Sequence, residues 1–166
     1  MTAKPLPEDR IGKAIADFLV VFPFFETLTS EDVLIIAEHI NFLEIDEGAL
    51  VFREGDEGDC VYFVIEGELE VIKESAVEGR EGVVISTLSK GRSIGEMSVI
   101  DKTPRSATVR ARSATTVLTL SADGFDFILE KHPKVGIKIL KGISRLLSAN
   151  LRKTSALLAE YMLPLS

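Results

Sequence analysis

The stretch GEMSVIDKTPRSATVRA, residues 95–111, joins a Gly-Glu pair to a short apolar run and then to a Pro-Arg pair that directly precedes a β-rich segment. Pro104 has a fixed φ, so the backbone that leads into Arg105 is rigid. Ser106 and Ala107 are small and leave room for a ligand close to the backbone. The Gly-Glu pair can open a short helical turn whose first amide groups point at a bound anion. A guanidinium next to free amides is a good host for a phosphate, because it supplies charge and directed donors together.

Glu96 is the unexpected residue in this stretch, because a carboxylate repels a phosphate. Its presence is explained if the ligand also carries a hydroxyl donor near the phosphate, as a ribose does. Arg105 for a phosphate and Glu96 for a sugar hydroxyl together suggest a nucleotide. The alternative is an ordinary ion pair between Arg105 and Glu96 at the mouth of a β barrel.

The residues on either side of this stretch predict the rest of the fold. Residues 42–120 contain short β-rich runs, such as CVYFVI and ELEVI, separated by glycine-containing turns, which is typical of an antiparallel sandwich or barrel. Residues 9–40 and residues 122–162 have helical periodicity. The chain is therefore predicted to be a single domain, residues 1–166, mainly β with flanking N-terminal and C-terminal helices.

Capping residues mark where the helices begin. Thr29 and Ser30, followed by two acidic residues, predict a helix start before an apolar run that ends at about His39. Asp123 is predicted to start a short helix. Pro133 is predicted to occupy the first turn of a long helix that fills the rest of the helical region.

The long helix carries two apolar faces and one basic stripe. One face is a seam of residues spaced three and four apart, namely Leu140, Ile143, Leu147, Asn150, Thr154, Leu157 and Tyr161; the second contains Leu146, Leu151, Leu158 and Met162. We infer that one face packs on the β body and the other on a second chain, which predicts a homodimer through this helix. The stripe is either a solvated face or a docking surface for an acidic partner protein, and consists of Lys131, Lys134, Lys138, Lys141, Arg145 and Arg152.

Composition excludes several classes of function. The net charge of −7 argues against nucleic acid as a partner, because DNA binding depends first on a basic surface. No apolar run approaches the roughly 20 residues that cross a membrane. The single cysteine, Cys60, rules out an intramolecular disulfide and suits a reducing compartment, so a cytoplasmic location is expected. His39 and His132 form a poor metal set, and no nucleophile–base pair stands out, so neither a metal or cofactor nor an enzyme is predicted.

Three motifs resemble the cyclic nucleotide-binding domain family. GEMSVIDKTPRSA is similar to the family's phosphate-binding cassette, which runs Gly-Glu-apolar-small-apolar, a short spacer, then Pro-Arg-small-Ala. FREGDEGDCVYFVIEGELEV resembles the family's glycine-rich turn, followed by Tyr-Phe and a hairpin. FPFFETLTSEDVLIIAEHINFLEIDEGALV resembles the helices that lead into the family's first strand. The resemblance covers roughly residues 22–150.

The resemblance implies an antiparallel jelly-roll β barrel, with a cassette at residues 95–108 and helices that shift when cAMP or cGMP binds. Arg105 would pair with the cyclic phosphate, helped by Ser106 and the backbone of Ala107, and Glu96 would accept the ribose 2′-hydroxyl. The amides of the turn would support phosphate and ribose; its residues are Gly95, Glu96, Met97 and Ser98.

The resemblance also implies residues for the base. Val71, Ile85 and Ser86 match strand positions that line the base pocket in similar proteins, although Val71 can equally be plain barrel core. Asn150 is the candidate for a base contact from the long helix; the alternative is a polar residue that fixes dimer register. Several cGMP-selective members have a threonine at the position of Ser106, so cAMP is expected as the ligand, with cGMP as the alternative.

The output of the predicted sensor is not evident in the sequence. Similar regulators continue into a helix-turn-helix that reads DNA, whereas this sequence stops at Ser166, at the end of the long helix. The expectation is a switch that works through dimer contacts and a partner protein, or a fragment of a larger regulator. A further alternative is a non-binding dimerisation or docking module with a relic cassette.

Overall fold

The structure, a computed structural model, describes residue 22, residues 25–75 and residues 82–162. Four helices are described: α1 Ser30–Ala37, α2 Glu96–Asp101, α3 Ala122–Lys131 and α4 Pro133–Met162. Eight strands are described: β1 Ile40–Ile45, β2 Leu50–Phe52, β3 Cys60–Glu66, β4 Leu69–Lys73, β5 Val83–Leu88, β6 Ser93–Ile94, β7 Thr108–Ala111 and β8 Thr115–Ser121. The sequence motifs of residues 9–21 and 23–24 lie outside the described residues.

The helix starts follow the predicted capping chemistry. The hydroxyl of Thr29 accepts a hydrogen bond from the Asp32 amide (3.3 Å), and the Asp32 carboxylate accepts one from the Thr29 amide (2.7 Å). This reciprocal cap satisfies two amides that the first turn of α1 leaves without helical partners. Helix α3 starts at Ala122, one residue before the predicted Asp123, because the Ser121 hydroxyl accepts a hydrogen bond from the Gly124 amide (3.0 Å). Helix α4 begins with Pro133, as predicted.

The strands form two antiparallel four-stranded sheets, ordered β1-β8-β3-β6 and β2-β7-β4-β5. The prediction of a mainly β fold with flanking helices and a long C-terminal helix is confirmed. The prediction of a closed barrel is wrong. No ladder joins the two sheets within the described residues, so the body is an open β roll. The β3–β6 ladder contains only two residue pairs, which leaves β6 as a short edge.

Strand β3 lies between two hydrophobic clusters, so both of its faces are buried. Val61 and Phe63 point to the helices, where they pack with residues such as Ile128 of α3 and Ile139 of α4. Val64, which alternates with them, points between the two sheets. Burial on both faces explains why CVYFVI is an uninterrupted apolar run rather than an alternating one.

Helix α4 is anchored to the body through its first half only. Val135, Ile139 and Ile143 are buried, whereas every side chain from residue 148 to residue 162 is exposed; Leu151 is 68% exposed and Tyr161 is 88% exposed. A helix of 30 residues is about 45 Å long, so roughly half of α4 extends past the described body. Among the described helices, none combines the length and the apolar character that crossing a membrane would require.

Candidate ligand-binding site

Helix α2 is the predicted turn at the start of the cassette, and Gly95 makes it possible. Gly95 is the N-cap of α2 and has φ +91°. This value lies in the left-handed region, which residues other than glycine rarely adopt. A Cβ at this position would lie 2.3 Å from Nη1 of Arg105 and 2.9 Å from the carbonyl oxygen of Cys60. The glycine therefore provides both the turn and the space for the guanidinium.

Arg105 is 3% exposed, and described residues hold its guanidinium in place. Nη1 donates to the Gly95 carbonyl (3.1 Å), and Nη2 donates to the Cys60 carbonyl (2.8 Å) and to the Asp59 carboxylate (3.1 Å). The guanidinium carbon lies 4.3 Å from the centre of the Phe52 ring, a cation–π contact. The carboxylate partner of Arg105 is thus Asp59; the alternative of an Arg105–Glu96 ion pair is not found among the described residues.

The backbone of Arg105 is held by the turn between β2 and β3. The Arg105 amide donates to the Asp56 carbonyl (2.8 Å), and the Gly55 amide donates to the Arg105 carbonyl (2.9 Å). In the same turn, a Cβ on Gly58 would lie 2.0 Å from the Cβ of buried Ser98 in α2. Gly58 therefore allows the turn to pack directly against α2, in addition to the turn role expected from its sequence.

Two buried polar atoms at this site have no hydrogen-bond partner within the described part of the chain: Oε2 of Glu96 and Nε of Arg105. Glu96 is 5% exposed. An unpaired buried polar group costs about 1–3 kcal/mol, so such atoms in a native fold require an explanation. Both residues line one cavity of about 40 Å³, and a ligand with an acceptor for Arg105 and a donor for Glu96 would satisfy both atoms.

Burial raises the pKa of Glu96 above its ordinary value, and its own backbone amide, Arg105 and Arg92 oppose this shift. Burial likewise raises the pKa of Cys60 to about 11, so its thiol stays protonated at neutral pH. Tyr62 also has a raised pKa because of burial. The ion-pair partner of Arg105 in this environment is the exposed carboxylate of Asp59, and the Tyr62 ring also lies beside its guanidinium.

The structure brings all seven predicted cassette residues to the same cavity: Gly95, Glu96, Met97, Ser98, Arg105, Ser106 and Ala107. The volume of about 40 Å³ is far below the roughly 300 Å³ or more of a typical ligand pocket, so only one end of a ligand fits in it. The rest of a nucleotide would extend over the open side of the site.

The predicted base-pocket residues lie apart from this cavity. Val71 is buried between the sheets, opposite Val109, which lines the cavity, and Ser86 pairs with Val71 on the other side. Ile85 is exposed at a bulge in the β4–β5 ladder. Asn150 is exposed on α4 and lines neither this cavity nor the larger one of about 320 Å³ between α4 and the turn before β6.

Reasoning from the sequence missed the residues that hold the guanidinium. Asp59 and the Cys60 carbonyl bind it, and Phe52 and Tyr62 lie beside it. The sequence signal for these residues is the glycine-rich turn that leads into Tyr62. Its residues indicate a turn, but they do not indicate that the turn lies beside Arg105.

The two histidines pack against an aromatic ring rather than lining the cassette cavity. His39 follows α1 and His132 caps the end of α3, and both rings lie near Phe127, at 4.9 Å and 6.3 Å between ring centres. The described residues contain no group of three or more side chains suited to hold a metal ion.

Comparison with known proteins identifies the family of the chain. The sequence pattern of the cyclic nucleotide-binding domain matches residues 42–132, which is more than half of the chain. The chain belongs to the cyclic nucleotide-binding domain family. The matched range contains both sheets, the cassette and α3, and it ends directly before α4.

Two relatives with similar sequences are much longer proteins. A cAMP-dependent protein kinase regulatory subunit of Yarrowia lipolytica is 37% identical over 112 residues, which cover 68% of this chain and 28% of that protein. A lysophospholipase of Chaetomium globosum is 32% identical over 124 residues, which cover 72% of this chain and 8% of that protein. The chain thus spans less than a third of the length of either relative.

A solved structure supports the fold over nearly the whole chain. A cyclic nucleotide-binding domain from Methylobacillus flagellatus KT superimposes with a TM-score of 0.81 at 28% identity, covering 91% of this chain and 85% of that one. The family fold, two antiparallel sheets with flanking helices, is therefore established for this chain.

Proposed function

We propose that this chain is a regulatory domain that senses a cyclic nucleotide, binds cAMP in preference to cGMP, and has no catalytic activity of its own. The observation that carries the proposal is the pair of unpaired, buried polar atoms, Glu96 Oε2 and Arg105 Nε, in one cavity at the start of α2. A cyclic nucleotide offers both an anionic phosphate and a ribose hydroxyl, and so matches both atoms.

In this proposal the two ends of the cassette bind different parts of the ligand. Arg105 pairs with the cyclic phosphate, with support from Ser106, from the backbone of Ala107 and from the amides at the start of α2. Glu96 accepts the hydrogen bond of the ribose 2′-hydroxyl. The contacts of Arg105 with Gly95 and Cys60 fix the guanidinium before the ligand arrives, so little conformational freedom is lost on binding.

The preference for cAMP is supported by Ser106, since several similar proteins that select cGMP have a threonine there, and by the relative that is named a cAMP-dependent protein kinase regulatory subunit. The base would lie towards Val71, Ile85 and Ser86. Asn150 would reach it only after α4 moves, because Asn150 lines neither described cavity.

The response would be a shift of populations in which α4 repositions and covers the base. Helix α4 suits this role because only its first half is packed on the described body. Its exposed half, which includes Leu151, Leu157 and Leu158, would form a homodimer interface. The exposed basic stripe is available to an acidic partner protein, although its Lys138 already binds Asp32 of α1. A cytoplasmic location is part of the proposal, supported by the single cysteine, Cys60.

Calorimetric titration of the chain with cAMP, and separately with cGMP, tests the proposal. We expect saturable binding with tighter affinity for cAMP. Arg105→Ala should weaken the binding free energy of cAMP by about 3–5 kcal/mol, because it removes one partner of a buried charged contact. At about 1.4 kcal/mol per tenfold, this is roughly a hundredfold to several-thousandfold loss of affinity. Arg110→Ala is the matched control, since Arg110 is an exposed arginine on β7 that pairs with Glu70.

A second candidate function is a dimerisation or docking module whose cassette does not bind nucleotide. The exposed apolar half of α4 favours it. Nucleotide binding and sedimentation distinguish the two candidate functions. A chain that binds neither cAMP nor cGMP but sediments as a dimer is the dimerisation or docking module. If the Arg105→Ala variant binds cAMP with an affinity within a few-fold of the wild type, Arg105 does not bind the phosphate.

A further inference from the structure

A cluster of four polar side chains contacts the cassette near its end, at Ser106 and Thr108. Lys73, at the end of β4, binds the Glu54 carboxylate and also donates to the Ser106 carbonyl (2.9 Å). The buried hydroxyl of Thr108 accepts from the Glu54 amide (2.9 Å) and donates to the Glu74 carboxylate (2.8 Å). The cluster therefore connects β4, the β2–β3 turn and the end of the cassette.

Together with the turn, this cluster holds consecutive backbone groups of the cassette. The amide and the carbonyl of Arg105 are bonded to Asp56 and Gly55, and the next carbonyl, that of Ser106, is bonded to Lys73. Lys73 thus donates directly to the carbonyl of the peptide between Ser106 and Ala107. That peptide borders the cavity, because both residues line it.

We propose that Lys73 is a positioning residue for the ligand phosphate: its ammonium group, anchored by Glu54, orients the Ser106–Ala107 peptide toward the ligand. This inference rests on the proposed function. Lys73 is 51% exposed on its side chain, and an exposed ion pair contributes little to stability. The effect of Lys73 should therefore appear in ligand binding far more than in folding.

Lys73→Met tests the proposal, with cAMP and its two phosphorothioate diastereomers as probes. The diastereomers differ in which exocyclic phosphate oxygen is replaced by sulfur. We expect Lys73→Met to bind cAMP about tenfold more weakly with little change in melting temperature. The affinity ratio of the two diastereomers should also change, because a reoriented peptide alters its contact with one oxygen more than with the other. Lys73→Arg should restore most of the affinity, since arginine can donate to both Glu54 and Ser106.

Arg110→Met is the matched control. It removes an exposed ion pair to Glu70 on the same β4–β7 ladder. We expect wild-type affinity and an unchanged diastereomer ratio. Lys73→Met with cAMP affinity within twofold of wild type and an unchanged ratio would overturn the inference, as would an equal loss in Arg110→Met.

A separate readout distinguishes this inference from the proposed function. The amide proton and nitrogen resonances of Ala107 in the ligand-free protein belong to the Ser106–Ala107 peptide and respond to a change in its orientation. If the wild type binds neither nucleotide, the proposed function fails. The positioning of the segment by Lys73 then stands if these resonances shift in Lys73→Met and not in Arg110→Met, and falls if they stay in place.

Discussion

Replacing Gly95 with alanine tests whether the space for the guanidinium is essential. Gly95 has φ +91°, and a non-glycine residue in the left-handed region costs about 1–2 kcal/mol. The new Cβ would also lie 2.3 Å from Nη1 of Arg105. The guanidinium must then move, which breaks at least one hydrogen bond to a charged group, worth about 1.5–3 kcal/mol. The free energy of unfolding should fall by about 2.5–5 kcal/mol in total.

Gly48→Ala is the matched control for backbone strain. Gly48 has φ +78°, and a Cβ there would have no atom within 4 Å, so it carries the strain without the collision. Its cost should be about 1–2 kcal/mol. Any gain from restricting the unfolded chain is common to both alanine variants and cancels in the comparison.

Urea unfolding of both variants, followed by calorimetry with cAMP, provides the measurement. The Gly95 variant should lose about 1.5–3 kcal/mol more stability than the Gly48 variant, the value of one charged hydrogen bond. It should also bind cAMP at least tenfold more weakly. Equal stability losses in the two variants, together with unchanged cAMP affinity in Gly95→Ala, would refute the conclusion that Gly95 makes room for Arg105.

Three further outcomes are expected. Gly58→Ala places a Cβ 2.0 Å from the Cβ of Ser98, which must displace α2, so calorimetry should show weaker cAMP binding; unchanged affinity would mean that α2 moves without consequence. Because burial raises the pKa of Glu96 above 4.5, Glu96→Gln should be more stable than the wild type at neutral pH in urea unfolding. That stability advantage should shrink as the pH falls through the raised pKa of Glu96. An advantage that does not depend on pH would contradict the conclusion that burial raises this pKa. Leu151→Glu combined with Leu158→Glu should abolish a dimer in sedimentation; a wild type that is monomeric at tens of micromolar, with and without nucleotide, rules the dimer out.

The cassette was predictable because its parts are contiguous in the chain. Gly95 and Glu96 start a turn, and Pro104 precedes Arg105, so local backbone preferences indicate where the predicted anion-binding groups lie. The same holds for the Thr29 cap and for Pro133, whose effects reach only one helical turn.

The partners of Arg105 were not predictable in this way. Asp59 and Cys60 lie 46 and 45 positions before Arg105, and they meet it because β3 pairs with β6 and places the start of β3 beside Gly95. Lys73 reaches Ser106 across 33 positions through the pairing of β4 with β7. No local pattern in the chain encodes such contacts.

The sequence by itself determined the class of fold and the starts of α1 and α4, since these depend on backbone preferences within a few residues, and its resemblance to the family indicated the seven cassette residues that line one cavity. Only the tertiary structure decided that the two sheets stay open, that Arg105 pairs with Asp59 rather than Glu96, and that Asn150 lies away from the cassette cavity. The physical reason is that these outcomes depend on which strands pair and on where α4 leaves the body. Strand pairing and helix packing are collective properties of the buried core, to which residues far apart in the chain contribute together.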